Sequence, residues 1–367
     1  MTDKRKNILS VSLVAAVLFS LAHWCWVKPA DPVSLSERRA LAAMPELSAE
    51  TVWSGKFMEG FEKYAADQFP LRDGFRALKV FCADRLLGQK DVNGIYGNGE
   101  GYLSKLEYPL NEDSLRSAAG KFRKIQERYL RGDGVRVYLS VVPDKNYFMA
   151  EECGALAMDY ARLVDCLREN TEGMEYIDIF PCLSLEDYYK TDTHWRQEQL
   201  RDAAGTVAAA MGKKLTMDYE TRLATENFLG VYAGQSALPV KGEPMYYLWN
   251  DSFDALEIQD RERNREIGVY DLTALEDRDP YELFLSGSLS LITVKNPNAS
   301  SDDRLILFRD SFGSSIAPYF FESYAEVTLV DIRYLSVERL GAFLDFENSD
   351  VLFLYSTLVL NNSETLK

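Results

Sequence analysis

The sequence predicts an α/β fold: a mostly parallel sheet flanked by helices, with an inserted subdomain and an N-terminal transmembrane helix. Three observations predict it. Between residues 135 and 355, short apolar β-rich runs alternate with stretches of helical spacing, and strand–helix alternation gives a parallel sheet covered on both faces. Ahead of that region, Ile8–Val27 runs for 20 residues without an acidic, Lys or Arg side chain, preceded by Lys4, Arg5 and Lys6. Within it, the stretch Thr221–Pro280 is richer in charge and glycine than its surroundings.

Ile8–Val27 has the length of a bilayer-spanning helix, and its basic flank predicts a cytoplasmic N-terminus at residues 1–7. Trp24 and Trp26 then fall at the outer interface, with an extracytoplasmic domain beyond. A cleaved signal peptide is the rival reading, but no A-x-A site follows the apolar run, so an uncleaved anchor over 8–27 is preferred. Residues 28–55 hold Pro29, Pro32 and Pro45 and little periodicity, and read as a juxtamembrane spacer. The folded domain is expected over 56–367. Phe57, Phe61, Tyr64 and Ala65 share a helical face, Pro70 ends that helix, and Phe75, Leu78 and Leu86 mark another.

The alternation follows. Val135–Val142 is β-rich, Leu156–Leu167 has helical spacing, Tyr176–Phe180 is strand-like, and a helix is expected around Leu200–Met211. Leu289–Val294, Arg304–Phe308, Val327–Ile332 and Val351–Tyr355 read as buried strands, with helices after Ser311 and Val337. The segment at about 215–285 is expected as an insertion over the sheet rim, with Asp260–Glu266 a solvated face.

The formal charge of −16 disfavours nucleic acid as a partner and disfavours broad adhesion to anionic lipid. Cys25 lies in the apolar run. Cys82, Cys153, Cys166 and Cys182 remain for the exported domain, where disulfides persist; pairing among the last three and free thiols both stay open. No C-x-x-C, P-loop or G-x-G-x-x-G occurs, and only one histidine lies outside the apolar run, so neither a metal nor a cofactor is expected.

That histidine is His194, in Thr191-Asp192-Thr193-His194-Trp195. If the domain uses an imidazole near neutral pH, the choice is forced, and Asp192 stands two positions before it. A second candidate is Asp310-Ser311-Phe312-Gly313, after the apolar run 304–308. A strand-to-helix step puts the Ser311 hydroxyl at a strand's carboxyl end, where open α/β sheets bind ligands. It is not a G-x-S-x-G elbow, because Arg309 takes the first glycine's place. Alone, each site has a plain structural reading, a packed loop histidine and a helix cap.

Taken together with Asp67-Gln68-Phe69-Pro70-Leu71-Arg72-Asp73, Pro143-Asp144-Lys145 and Gln235-Ser236, these motifs resemble the DHHW-type proteins. Those are similar to the alginate O-acetyltransferase-like group of SGNH hydrolases. The resemblance spans about residues 37–355. It implies an SGNH-hydrolase-like fold in which Asp192 orients, His194 is the base and Ser311 the nucleophile, in that chain order. Thr193 stands where the family name has its first histidine, leaving one imidazole, which suffices for a triad. The Ser311 backbone N–H is an oxyanion donor on this reading. Lys145, Asn146, Arg309 and Gln235 are polar candidates for oxyanion or substrate contacts, each also open to a structural role.

The resemblance implies a membrane-anchored extracytoplasmic O-acetyltransferase acting on a cell-surface or exported polysaccharide. It also implies a multispanning membrane O-acyltransferase partner, because acetyl-CoA is cytosolic and the chain shows no site for it. Two alternatives share the sequence: a carbohydrate esterase with the same triad, and a non-catalytic glycan-binding component of a surface-polymer machine.

Overall fold

The computed structural model describes residues 3–34 and 36–367. The chain forms two compact units, Met1–Asn93 with Ala233–Pro239, and Gly94–Tyr232 with Val240–Lys367.

The first unit opens with α1 (Asp3–Val27), 25 residues long, with a mean hydropathy of 2.0 over its most apolar stretch and no buried residue. At 1.5 Å per residue it reaches about 37 Å, enough to cross a hydrocarbon core of about 30 Å. The residues expected as a spacer carry a two-stranded antiparallel pair, β1 (Val33–Ser34) and β2 (Arg39–Ala40), and a short helix α2 (Ala49–Trp53). Helices α3 (Lys56–Asp67) and α4 (Arg72–Phe81) follow, broken at Pro70 as the sequence predicts.

The Asp67–Asp73 motif is a fastener. Asp67 accepts from Arg39 Nη1 at 2.8 Å and from the Ala42 N–H at 2.9 Å, while the Gln68 amide exchanges two hydrogen bonds of 2.8 Å with the Asp31 backbone. The Arg39 guanidinium holds the Asp67 carboxyl down at about 2.

In the second unit, a hairpin of β3 (Ile95–Gly97) and β4 (Leu103–Lys105) leads to α5 (Glu112–Tyr129) and β5 (Arg136–Val142). Then come α6 (Lys145–Cys153), α7 (Tyr160–Asn170), β6 (Glu175–Ile177) and α8 (Arg201–Ala210). Next are β7 (Glu220–Phe228), the short helix α9 (Val231–Ser236), which begins in this unit and ends in the first, β8 (Glu243–Trp249), β9 (Glu257–Asp260) and β10 (Arg265–Glu266). The chain closes through β11 (Leu291–Lys295), β12 (Arg304–Arg309), α10 (Ser311–Ile316), β13 (Glu326–Val330), β14 (Ser349–Ser356) and α11 (Thr357–Leu360).

Eight strands form one sheet in the order β10-β9-β11-β13-β12-β14-β5-β6. The five from β13 to β6 are parallel, and β11, β9 and β10 add an antiparallel edge. Central strands are apolar throughout because both faces are covered. Leu305, Leu307, Leu352 and Leu354 point into a core shared with α8 residues Ala204 and Val207. Ile306, Phe308, Val351 and Phe353 point the other way, onto α5 and α7 through Phe122, Leu163 and Leu167. The segment expected over the rim behaves differently along its length: β7 and β8 form a separate hairpin, whereas β9 and β10 extend the main sheet. The alternating burial of β9, with Ile258 and Asp260 in and Glu257 and Gln259 out, is what an antiparallel strand with one covered face requires.

All the cysteines beyond α1 are free thiols.

Candidate active site

Ser311 begins α10 immediately after β12. The step is set by Asp310, whose Oδ1 caps the helix by accepting from the Phe312 N–H at 3.0 Å. Its Oδ2 accepts from the Ser356 N–H at 2.8 Å and the Ser356 hydroxyl at 2.7 Å, tying the ends of β12 and β14 together. Gly313 is required by packing: a Cβ there would lie 2.4 Å from the Arg309 side chain, which runs beneath the helix.

The loop carrying Asp192 and His194 is fixed from several sides. A bridge pairs Tyr188 with Trp195, and the Tyr189 N–H donates to the His194 carbonyl at 3.1 Å. Thr191 Oγ1 accepts from the Gly230 N–H at 2.8 Å, and Gly230 passes so close that a Cβ would sit 2.3 Å from the Asp192 backbone. Thr193, in place of an imidazole, has its hydroxyl 3.0 Å from the Tyr232 hydroxyl. Trp195 is fully buried, and its indole N–H donates to Ser315 Oγ at 2.8 Å, joining this loop to α10.

These two anchored pieces bring three side chains into line. Asp192 is 0% exposed; its Oδ1 lies 2.6 Å from His194 Nδ1, and its Oδ2 accepts from the Val231 N–H at 2.8 Å. On the far side of the ring, Nε2 lies 2.7 Å from Ser311 Oγ. With Nδ1–H donated to Asp192, Nε2 is left to accept from the serine hydroxyl. The Tyr281 ring stacks on the imidazole at 3.8 Å and 6°, and its hydroxyl is 2.7 Å from Ser315 Oγ.

Ser311 and His194 face a small cleft of about 110 Å³ whose other walls include Tyr281, Glu282, Gly287 and Ser314. Ser314 follows Ser311 by three residues and shares its helix face. Burial and nearby Asp279 push the Glu282 carboxyl upward. Arg333 also lines the cleft, but its guanidinium grips Asp331 through contacts of 2.9 and 2.7 Å. Leu285, Ser286 and Gly287 have φ of 53°, 54° and 77°, a left-handed run that turns the chain back toward Ser311.

The polar candidates have other partners. Lys145 is buried and donates to the carbonyls of Tyr189 and Lys190 at 2.8 and 2.9 Å, bracing the segment ahead of Asp192. Burial lowers its ammonium to about 7, against the pull of Asp192 and Glu243. Asn146 is fully buried and bonded to the Tyr96 hydroxyl and the Leu156 carbonyl. Arg309, equally buried, pairs with Asp331 at 3.5 Å. Gln235 belongs to the first unit, where its carbonyl accepts from Asn93 at 2.9 Å. Tyr281, Ser314 and Gly287 are the cleft residues that sequence reasoning missed; they sit in aperiodic or helical stretches with no signal tying them to the histidine.

A parallel sheet with a serine at the carboxyl end of a central strand, and a histidine and aspartate presented from a separate loop, defines an SGNH-hydrolase-like α/β domain. Residues 103–249 match the family model of the SGNH hydrolase-like domain of the acetyltransferase AlgX. The matched stretch contains Asp192 and His194 and ends before Ser311. Among solved structures, a DHHW family protein from Eubacterium siraeum aligns with TM-score 0.62 and 17% identity, covering 75% of this chain and 95% of its own. PatB1 from Bacillus cereus aligns with TM-score 0.59 and 17% identity, covering 72% and 96%. At such identities the structural likeness speaks for the fold. A sequence search of curated proteins finds no match. The activity named in the description of the matching family model is that of an acetyltransferase.

Proposed function

We propose that the chain is a membrane-anchored, extracytoplasmic O-acetyltransferase that acetylates a cell-surface or exported polysaccharide through Ser311, His194 and Asp192. The observation that carries this reading is the continuous path from Asp192 through His194 to Ser311, with contacts of 2.6 and 2.7 Å, ending at a cleft. His194 Nε2 takes the Ser311 proton as Oγ attacks the acetyl donor's carbonyl carbon. The tetrahedral intermediate collapses, the donor's leaving group departs with the proton from Nε2–H, and Ser311 holds the acetyl ester. A sugar hydroxyl then attacks the ester carbonyl as Nε2 takes its proton. Collapse returns that proton to Ser311 Oγ and releases the acetylated sugar. Asp192 orients the ring and stabilises its protonated form.

On this reading α1 holds the N-terminus in the cytoplasm and the catalytic domain outside, near a multispanning acyltransferase that delivers acetyl groups. The domain bounds proposed with it are an anchor at 8–27 and a catalytic domain extending to 367. The test is intact-mass analysis after exposure to 4-nitrophenyl acetate. Wild type should gain one acetyl group on Ser311, and Ser311→Ala and His194→Ala should gain none there; acetylation retained by either would overturn the assignment. Adding an oligosaccharide acceptor should speed loss of the acetyl-enzyme. Loss to water alone, at an unchanged rate, would make the protein an esterase.

A further inference from the structure

Beside the carboxyl end of β6, a groove of about 420 Å³ is lined by Tyr147, Tyr160, Tyr176, Phe180, Asp165 and Asp178. Tyr147 is 42% exposed, yet its ring is braced edge-on by Tyr160 and Phe180, with centroids 5.0 Å away in each case. An aromatic ring held rigidly and left half-exposed beside a groove is suited to stacking. The Tyr176 hydroxyl is buried without a protein partner. Asp178 accepts from the Phe180 N–H with one oxygen, and Asp165 is exposed, so carboxylate oxygens remain for hydroxyl donors.

We infer that this groove is a binding subsite for a glycan chain of uncharged pyranose units, and that the acceptor is a neutral or N-acylated polymer rather than a uronate. The apolar face of a pyranose ring suits Tyr147, and its hydroxyls suit the two carboxylates. The charges point the same way. Asp165 and Asp178 line the groove, where Arg168 stands 5.7 Å from the Tyr176 ring and offsets one of them; Asp279 and Glu282 line the Ser311 cleft, and Arg333 there is held by Asp331. An acidic sugar would meet net repulsion at both places, the stronger at the cleft.

Position connects the two. β12, β14, β5 and β6 are successive parallel neighbours, so their carboxyl ends share one edge of the sheet. Three strand spacings place the end of β6 about 14 Å from that of β12, a gap that a few sugar rings bridge. The Tyr160 hydroxyl donates to Asp144, just past β5, at 3.0 Å, which fixes the groove wall at that same edge.

The acceptor assignment rests on the transferase reading, whereas sugar binding does not, and the experiment separates them. Full-length Ser311→Ala protein in detergent is titrated with tetra-N-acetylchitotetraose, cellotetraose and tetragalacturonate. At least one neutral tetramer should bind more tightly than tetragalacturonate; Tyr147→Ala should weaken it about tenfold and Tyr147→Phe should not. In the Ser311-containing protein, Tyr147→Ala should leave 4-nitrophenyl acetate turnover unchanged. No binding by either neutral tetramer, tighter binding of the uronate, or indifference to Tyr147→Ala would overturn the inference. Neutral-sugar binding without Ser311-dependent ester turnover would overturn the transferase reading alone.

Discussion

At the amino end of the central sheet, Asp350 is 2% exposed and closed on every side. Arg136 donates to it through contacts of 2.7 and 3.0 Å, and the Tyr324 hydroxyl does so at 2.8 Å. At the carboxyl end, Asp192 is just as buried, but its hydrogen-bond path runs through an imidazole to a serine hydroxyl that faces a cleft. Both ends hold buried carboxylates with good partners. The difference is where the path ends: one terminates inside the protein, the other at open space where a reactant fits. Burial of charge alone therefore does not mark a reactive site in this fold.

Substitutions at the two ends should separate rate from stability. Asp192→Asn keeps the shape but removes the charge that fixes the ring, and should slow acetyl transfer to Ser311 on the order of 10³-fold while the melting temperature stays near wild type. A rate within tenfold of wild type would place Asp192 outside the chemistry. Asp350→Ala should do the reverse. It leaves the Tyr324 hydroxyl without its acceptor and should cost about 2 kcal/mol, seen as a lower melting temperature with unchanged turnover per folded molecule. The Arg136 contact adds less, since its side chain is 55% exposed.

Gly313→Ala tests the carboxyl end through packing. The new methyl would meet the buried Arg309 stem, costing about 1 kcal/mol or more, and by shifting α10 it should lower turnover as well as stability. Normal turnover would show that α10 tolerates displacement.

A fourth effect is one of pH. Burial lowers Lys145 to about 7, so the folded chain binds this proton more weakly than the unfolded chain, whose lysine titrates near 10.4. Its contribution to stability therefore rises with pH between about 7 and 10. A neutral amine still has two N–H groups for the carbonyls of Tyr189 and Lys190. Relative to Lys145→Met, wild type should melt progressively higher across that window; parallel profiles would mean that the ammonium stays charged.

The parallel part of the sheet was legible because β5, β12 and β14 are apolar on both faces, a pattern that composition alone reveals. The antiparallel edge was not. β9 is four residues long with two charged side chains, and its place is decided by its pairing with β11. The Asp192–His194 pair stood out because histidine is so scarce. Ser311 emerged from its position after a strand. Tyr281 and Gly287 did not, because Tyr281 matters by stacking on a histidine 87 positions away and Gly287 by lining the cleft from an aperiodic loop. Lys145, Asn146 and Arg309 drew notice as polar residues near strand ends, and the structure uses their polarity to hold backbone and buried charge.

The tyrosine stacked on His194 has a consequence for the proposed chemistry. In the acyl transfer proposed above His194 carries a transient positive charge, and an electron-rich ring face lying against it favours that cation. Tyr281 is delivered by the excursion between β10 and β11, not by the sheet that carries Ser311. Sequence drift in that excursion can therefore change what lies against the imidazole while Ser311, His194 and Asp192, and the strands beneath them, stay as they are.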